Sequence, residues 1–488
     1  MPYINLKFNK VGRYDRNMIN AMIICSIILL LCIASSKLLY RFGIPTLAIF
    51  IILGMLFGSD GLGGIYFSDY ELSRQICSFG LVFIMFYGGF GTNWKAGKPV
   101  FIPSVLMSTL GVIITASLTG IFCYFVLKTS LLEGLLIGSV VASTDAASVF
   151  AILRSRKLNL KDGLGSLLEI ESGSNDPISY MLTVIIVSLF MGNGESTVLT
   201  MLFSQIVFGL LIGFVLAKIT VVLLQKINLE IDGLYPILVT AIVILGYALS
   251  ETVGGNGYIC VYLIGIIVGN SSIMHKRSLY HFFDGISWIM QIMLFFTLGL
   301  LSFPSEIPKI IVPAVVVSLF MIFVARPIAT FSILSWFKFP IKHQLFVSWV
   351  GLRGAASVVF AIYAVSFNLN ISQDIFHIVF FVALFSVLVQ GTLIPTFARK
   401  LDLVDDNESI FKTFTDYEEE SLTHLMEVEI TKSSPWVNKT LSEANIPQSI
   451  LVVMIKRNNK AIVPKGSTKI KLGDVLVLNG IDFDKIPV

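Results

Sequence analysis

The chain has 488 residues, 55% hydrophobic and only 14% Asp, Glu, Lys or Arg, where an ordinary soluble domain carries about 25% charged residues. No single core could hide this much apolar side chain from water, so a soluble enzyme, a disordered chain and a secreted disulfide scaffold are excluded in favour of a polytopic α-helical membrane protein. The net charge of +4 makes no case for a nucleic-acid partner; what matters is where the charges sit.

A spanning helix takes about 20 apolar residues. The apolar segments predict about thirteen crossings: 18–36, 43–58, 76–91, 99–127, 131–153, 163–192, 197–226, 233–252, 257–270, 282–301, 309–337, 342–366 and 375–398. An N-terminal tail, residues 1–17, precedes them with Lys7, Lys10, Arg13 and Arg16. No small-residue cleavage site follows, so the first segment reads as a helix rather than a signal peptide. The membrane domain is expected to span 18–400, an acidic linker 401–424, and a small cytoplasmic α/β domain 425–488.

Alternate loops carry the basic residues: Lys37 and Arg41, Lys95 and Lys98, Arg154 to Lys161, Lys226, His275 to Arg277, Lys338 and Lys342, Arg399 and Lys400. The intervening loops carry Asp60, Asp69, Glu71, Glu195, Glu251, Glu306 and Asp374. Basic loops face the cytoplasm, which sets the N-terminus outside and the C-terminal domain inside. In that domain the pattern predicts a strand starting at Val428, a short helix over Asn438–Asn445, a hairpin turning at Asn458-Asn459, and a closing strand over Asp474–Leu478. The five cysteines form no CxxC or His-spaced pattern and read as buried thiols.

An ionisable group at mid-bilayer costs at least about 2.5–3.5 kcal/mol, so each one is a functional hypothesis. The candidates are Thr144-Asp145 in the fifth segment; Glu169, Glu171 and Asp176 in the sixth; Arg326 in the eleventh; and Arg353 in the twelfth. Gly and Pro beside the acids predict broken helices whose carbonyls can replace the hydration shell of a small cation. Carboxylates among such oxygens, Asp176 and Asp145 here, suit Na⁺ or K⁺. A carboxylate withdrawn from water also holds its proton more tightly, so one group can bind a proton or a metal ion, never both. Arg353 keeps its proton and needs an acid partner: Glu171 first, Asp145 or Asp176 second. Arg326 beside Pro327 reads as a helix-end or interface residue, and Glu169 as reaching water. Asp145-Ala-Ala-Ser-Val149 is echoed by Gly354-Ala-Ala-Ser-Val358 in a segment of opposite direction, as an inverted repeat predicts.

The runs Ser174-Asn-Asp-Pro177, Thr144-Asp145 and Gly351-Leu-Arg-Gly-Ala355 resemble the cation/proton antiporter superfamily, in its NhaP-type sodium or potassium/proton exchanger branch. The resemblance implies thirteen helices with inverted repeats and a homodimer in the cell (inner) membrane. It implies that Asp176 carries the ion or proton, that Asn175 marks an electroneutral branch, that Thr144, Asp145 and Ser172 line the site, and that Glu171 pairs with Arg353. The chain departs from many relatives in having Tyr87 where they carry an acid before Gly88-Gly89. The C-terminal part resembles the RCK C-terminal (TrkA-C) regulatory domain, which implies a nucleotide effector such as cyclic di-AMP and favours K⁺. The expected protein is a lipid-embedded K⁺/H⁺ antiporter, not an enzyme. Na⁺/H⁺ exchange is the alternative, ahead of a gated channel, for which no TVGYG-type filter is present, and of a sensor with a structural Asp176.

Overall fold

The computed structural model describes residues 22–35, 46–405 and 424–480, apart from Ile19 outside these ranges and positions 157, 274, 368, 370, 432, 433, 448, 449, 458 and 459 within them. The expected tail 1–17, most of the acidic linker and the Asn458-Asn459 turn lie outside the described residues. The chain divides into two units, residues 1–411 and 412–488.

The described residues of the first unit are mainly helical, and helices occupy the apolar segments with their ends moved by a few residues. They are α1 (Met22–Ser35), α2 (Thr46–Phe57), α3 (Tyr70–Gly91), α4 (Trp94–Val126), α5 (Leu131–Val141), α6 (Ala146–Ser155) and α7 (Leu164–Phe190). Then come α8 (Glu195–Lys226), α9 (Leu234–Thr252), α10 (Gly257–Gly269), α11 (Lys276–Leu301), α12 (Pro308–Leu334), α13 (Ile341–Trp349), α14 (Ala355–Val365) and α15 (Ile375–Lys400). Among the described residues, seven stretches are long and apolar enough to cross a membrane: α4, α5 with α6, α8, α9, α11, α12 and α15.

Small residues let these helices approach closely, the usual device where lipid supplies no hydrophobic drive between them. Gly134 and Gly138 of α5 lie directly on the Gly120 and Ala116 carbonyls of α4. Gly265 and Gly269 of α10 lie on the Phe86 and Phe90 carbonyls of α3. Two helical segments are interrupted. Between α5 and α6 the backbone unwinds over Ala142–Asp145, and between α13 and α14 over Val350–Gly354. The same four residues, Ala-Ala-Ser-Val, open both α6 and α14. Three π-turns, which often mark functional sites, interrupt α4 (Met107–Gly111), α12 (Met321–Ala325) and α15 (Ser386–Gln390).

The chain does not leave this unit at Lys400, as the linker reading expected. Asp402 takes a left-handed conformation (φ 59°) that turns the backbone back. Leu403 then enters a core cluster with Leu158, Leu164, Leu352 and Ile394. Val404 bridges Leu160, with the Lys161 N–H on the Leu403 carbonyl and the Asp405 N–H on the Asn159 carbonyl, both at 3.0 Å. The acidic composition hid this strap, because its one apolar anchor pair is only two residues long.

The second unit is a four-stranded antiparallel sheet in the order β1-β4-β2-β3, with β1 His424–Glu429, β2 Ile450–Arg457, β3 Lys460–Ile462 and β4 Val475–Gly480. Val428, Ile455, Leu476 and Leu478 point to one face and bury Trp436 and Ile470. The expected helix over 438–445 is absent; the segment is a series of turns. Asn438 and Asn445, at its two ends, have φ 65° and 45°, and Thr440 between them bridges Lys469. The N–H groups of Leu441 and Ser442 go instead to the carbonyls of Thr468 and Gly466.

Candidate functional site

The two breaks meet. The Asp145 N–H donates to the Leu352 carbonyl at 2.8 Å, joining one unwound segment to the other. Arg353 donates through Nη1 to the carbonyls of Ala142 (2.6 Å) and Ser143 (2.9 Å). It thus caps the C-terminal end of α5, where carbonyls lack partners and a cation is favoured. The Arg353 backbone N–H is held by Ser386 Oγ at 3.1 Å, and that hydroxyl donates to Gln390, so the second break is fixed to the π-turn of α15.

At the start of α6, Asp145 is the N-cap. Its Oδ1 accepts from the Ser148 N–H at 3.1 Å and its Oδ2 from the Ser148 hydroxyl at 2.6 Å, the arrangement that satisfies orphan donors of a first turn. Gly354 makes room for it: a Cβ there would sit 2.5 Å from Asp145 Oδ2. The matching serine of α14, Ser357, is buried with no hydrogen-bond partner among the described residues, because its helix begins with Gly354 in place of an acid.

Helix α7 passes beside the first break and staples it. Ser172 Oγ accepts from the Ala146 N–H and donates to the Thr144 carbonyl, both at 2.8 Å. Asn175 accepts from the Thr144 N–H at 3.3 Å and donates to Thr144 Oγ1 at 2.5 Å. Asp176 differs: among the described residues it has one hydrogen-bond partner, the Ser143 hydroxyl on its Oδ1, and it is buried at 8% exposure. The residues named from the sequence therefore converge, with Thr144, Ser172 and Asn175 committed to the backbone of the break and Asp176 largely uncommitted. Ser143 and Ser148 were not singled out. Their only signal was adjacency to Thr144-Asp145 in a segment expected to unwind.

Arg326, not the expected Arg353, makes the close ion pair to Glu171, although Arg353 lies near enough for its charge to act on Glu171. Glu171, 1% exposed, has Arg326 Nη2 2.5 Å from its Oε1, while Arg353 is spent on carbonyls. Arg326, expected at a helix end or interface, lies instead inside α12 just after its π-turn, is 3% exposed, and lines a small cavity with Gly351, Arg353, Ser386 and Gln390. Three carboxylates (Asp145, Glu171, Asp176) and two guanidiniums (Arg326, Arg353) gather here, so one negative charge is left over when all are ionised. Tyr87 occupies a separate cluster, its hydroxyl 2.6 Å from the Tyr280 hydroxyl and 2.7 Å from Asp284 Oδ1. Asp284, inside α11, is an acid that the sequence reading did not name.

Comparison with known proteins gives the following. A family model described as "Sodium/hydrogen exchanger, transmembrane" matches residues 26–400, and one described as "TrkA-C domain" matches residues 425–480. The chain is 34% identical over 478 residues to the K(+)/H(+) antiporter NhaP2 of Shewanella baltica (strain OS223), covering 96% of this chain and 82% of that one. It is 34% identical over 463 residues to the K(+)/H(+) antiporter NhaP of Alkalimonas amylolytica, covering 94% and 80%. The solved structure of the sodium proton antiporter MjNhaP1 from Methanocaldococcus jannaschii at pH 8 shares the fold, with a TM-score of 0.69 at 23% identity, over 79% of this chain and 99% of that one.

Proposed function

We propose, for a chain that belongs to the sodium/hydrogen exchanger family and carries a TrkA-C domain, one-for-one exchange of K⁺ and H⁺ by alternating access. The observation that carries this reading is Asp176. It is a buried carboxylate with a single hydrogen bond among the described residues, beside two crossing helix breaks, in a group of three acids and two arginines with one negative charge in excess. One monovalent cation or one proton neutralises that charge, and neither leaves room for the other. Exchange that returns the site to neutrality in both directions moves no net charge.

In this reading Asp176 holds the cation or proton, and Asp145 is the second acid at the site. Thr144, Ser172 and Asn175 keep the break in shape, and the unwound carbonyls supply neutral oxygens. Arg326 and Arg353 balance Glu171 and the free end of α5. The K⁺/H⁺ antiporters to which the chain is 34% identical support K⁺ over Na⁺. The protein is a transporter with no catalytic role. It crosses the cell (inner) membrane thirteen times, N-terminus outside and TrkA-C domain inside, with inverted repeats supported by the shared Ala-Ala-Ser-Val starts of α6 and α14. It works as a homodimer, with a nucleotide such as cyclic di-AMP acting on the C-terminal domain.

The test is ion-by-ion exchange in proteoliposomes carrying a pH gradient, with and without the membrane potential clamped. K⁺ should dissipate the gradient at lower concentration than Na⁺, and the clamp should leave the rate unchanged. Preference for Na⁺ would establish the alternative ion, and a rate set by the potential would reject one-for-one exchange.

A further inference from the structure

Asn256 is the N-cap of helix α10, a fully buried residue with every polar atom in use. Its side-chain oxygen accepts from the N–H groups of Tyr258 (3.0 Å) and Ile259 (3.1 Å), capping α10. Its side-chain nitrogen donates to the Pro177 carbonyl of α7 at 3.0 Å. Its backbone N–H donates to the Gln205 carbonyl of α8 at 3.0 Å, and its own carbonyl accepts from the Cys260 N–H at 3.1 Å. Two donors at one end of the amide and a carbonyl at the other admit only this orientation of the group. One side chain therefore ties α7 to the start of α10, and its backbone extends the tie to α8.

The residue it holds is one peptide unit from Asp176. Proline has no N–H, so α7 lacks the hydrogen bond that would run from residue 177 back to the Gly173 carbonyl, and the helix is least tied to itself beside its key carboxylate. The anchor, by contrast, is firm. Gly265 and Gly269 seat α10 on the backbone of α3, and Gly209 and Gly213 of α8 seat it on the other side against Asn256 and Cys260. From the same helix, the Tyr262 ring lies against Gly173.

We infer that Asn256 is a positioning residue for the ion site: its hydrogen bond to the Pro177 carbonyl fixes the 176–177 backbone relative to α10. It thereby fixes the approach of the Asp176 carboxylate to the Ser143 hydroxyl. Because the bond joins two separate helices, any slide of α7 along α10 breaks it, so it also marks the conformation described here. This inference rests on the reading of Asp176 as the exchanging carboxylate, and its test separates the two.

Asn256→Ser, Asn256→Ala and Asp176→Asn are compared as full-length proteins in proteoliposomes, with melting measured in parallel. Serine caps a helix about as well as asparagine but cannot also reach Pro177. Asn256→Ser should keep most of the wild-type melting temperature yet raise the K⁺ concentration for half-maximal exchange about two- to ten-fold, as loss of one buried hydrogen bond implies, and move the pH profile. Asn256→Ala should show the same transport change and a lower melting temperature. Wild-type half-saturation and pH profile in Asn256→Ser would overturn the inference. So would melting as low as that of Asn256→Ala with only the amount of folded protein changed, since capping alone would then account for the residue. Asp176→Asn should be inactive; wild-type exchange there would instead refute the reading beneath the inference, whatever the Asn256 variants do.

Discussion

Arg326→Ala should damage this protein through Glu171, and Arg353→Ala should not. Glu171 is 1% exposed and its cation is Arg326, 2.5 Å away. Removing one partner of a buried pair leaves an uncompensated charge, a loss of about 3–5 kcal/mol. Adding Glu171→Gln to Arg326→Ala removes that stranded charge and should restore most of the loss. Arg353→Ala loses two charged-donor hydrogen bonds, to the Ala142 and Ser143 carbonyls, each worth about 1.5–3 kcal/mol. No change at Glu171 replaces those bonds. The assay is a double-mutant cycle by thermal unfolding of the purified protein, which isolates the pairwise coupling. Coupling of a few kcal/mol is expected between Glu171 and Arg326, and clearly less between Glu171 and Arg353, which acts on it as a neighbouring charge without a close ion pair. Rescue of Arg353→Ala by Glu171→Gln, with none for Arg326→Ala, would refute the reasoning and restore the pairing that the sequence motifs imply.

Three further outcomes follow from the geometry. Gly354→Ala places a methyl group 2.5 Å from Asp145 Oδ2, so K⁺/H⁺ exchange in liposomes should fall steeply; wild-type exchange would show that the breaks tolerate separation. Truncation after Asp405 keeps the strap and should leave a folded, exchange-competent unit. Truncation after Lys400 removes Leu403 from its core cluster and should lower the melting temperature; equal melting of the two would dismiss the strap. In the C-terminal domain, burial alone would push the Asp474 carboxyl up. Hydrogen bonds from Arg457 (2.7 Å to each oxygen) and from the Lys471 N–H (2.8 Å), with the Arg457 charge, hold it below its ordinary value. A depressed folded value means the stabilisation is present above about pH 4, the unfolded value, and lost as pH falls through the folded one. Asp474→Asn should therefore raise hydrogen exchange in β2 and β4 at neutral pH and flatten its dependence on acid; unchanged exchange would contradict the assignment.

Much of the site was legible because membranes make charge conspicuous. Asp145, Glu171, Asp176 and Arg353 are visible in the sequence as rare ions in apolar runs, and Gly and Pro beside them announce unwound backbone. The sequence does not say which arginine meets which acid. Arg326 and Arg353 lie on different helices, and a π-turn decides where Arg326 points. Nor does it separate a free carboxylate from a committed one: Asp145 and Asp176 look alike until Ser148 is found holding both oxygens of the first. The helix expected over 438–445 failed for a reason the local sequence does not carry, since the Leu441 and Ser442 N–H groups pair with the distant carbonyls of Thr468 and Gly466.

The central claim is that Asp176 alternately holds a proton and a cation. It is tested most directly by K⁺-driven proton movement in proteoliposomes containing wild-type protein or Asp176→Asn, matched for folded protein and orientation. The account predicts rapid dissipation of the pH gradient by the wild type and none above empty liposomes by the variant. Wild-type dissipation by Asp176→Asn would contradict it.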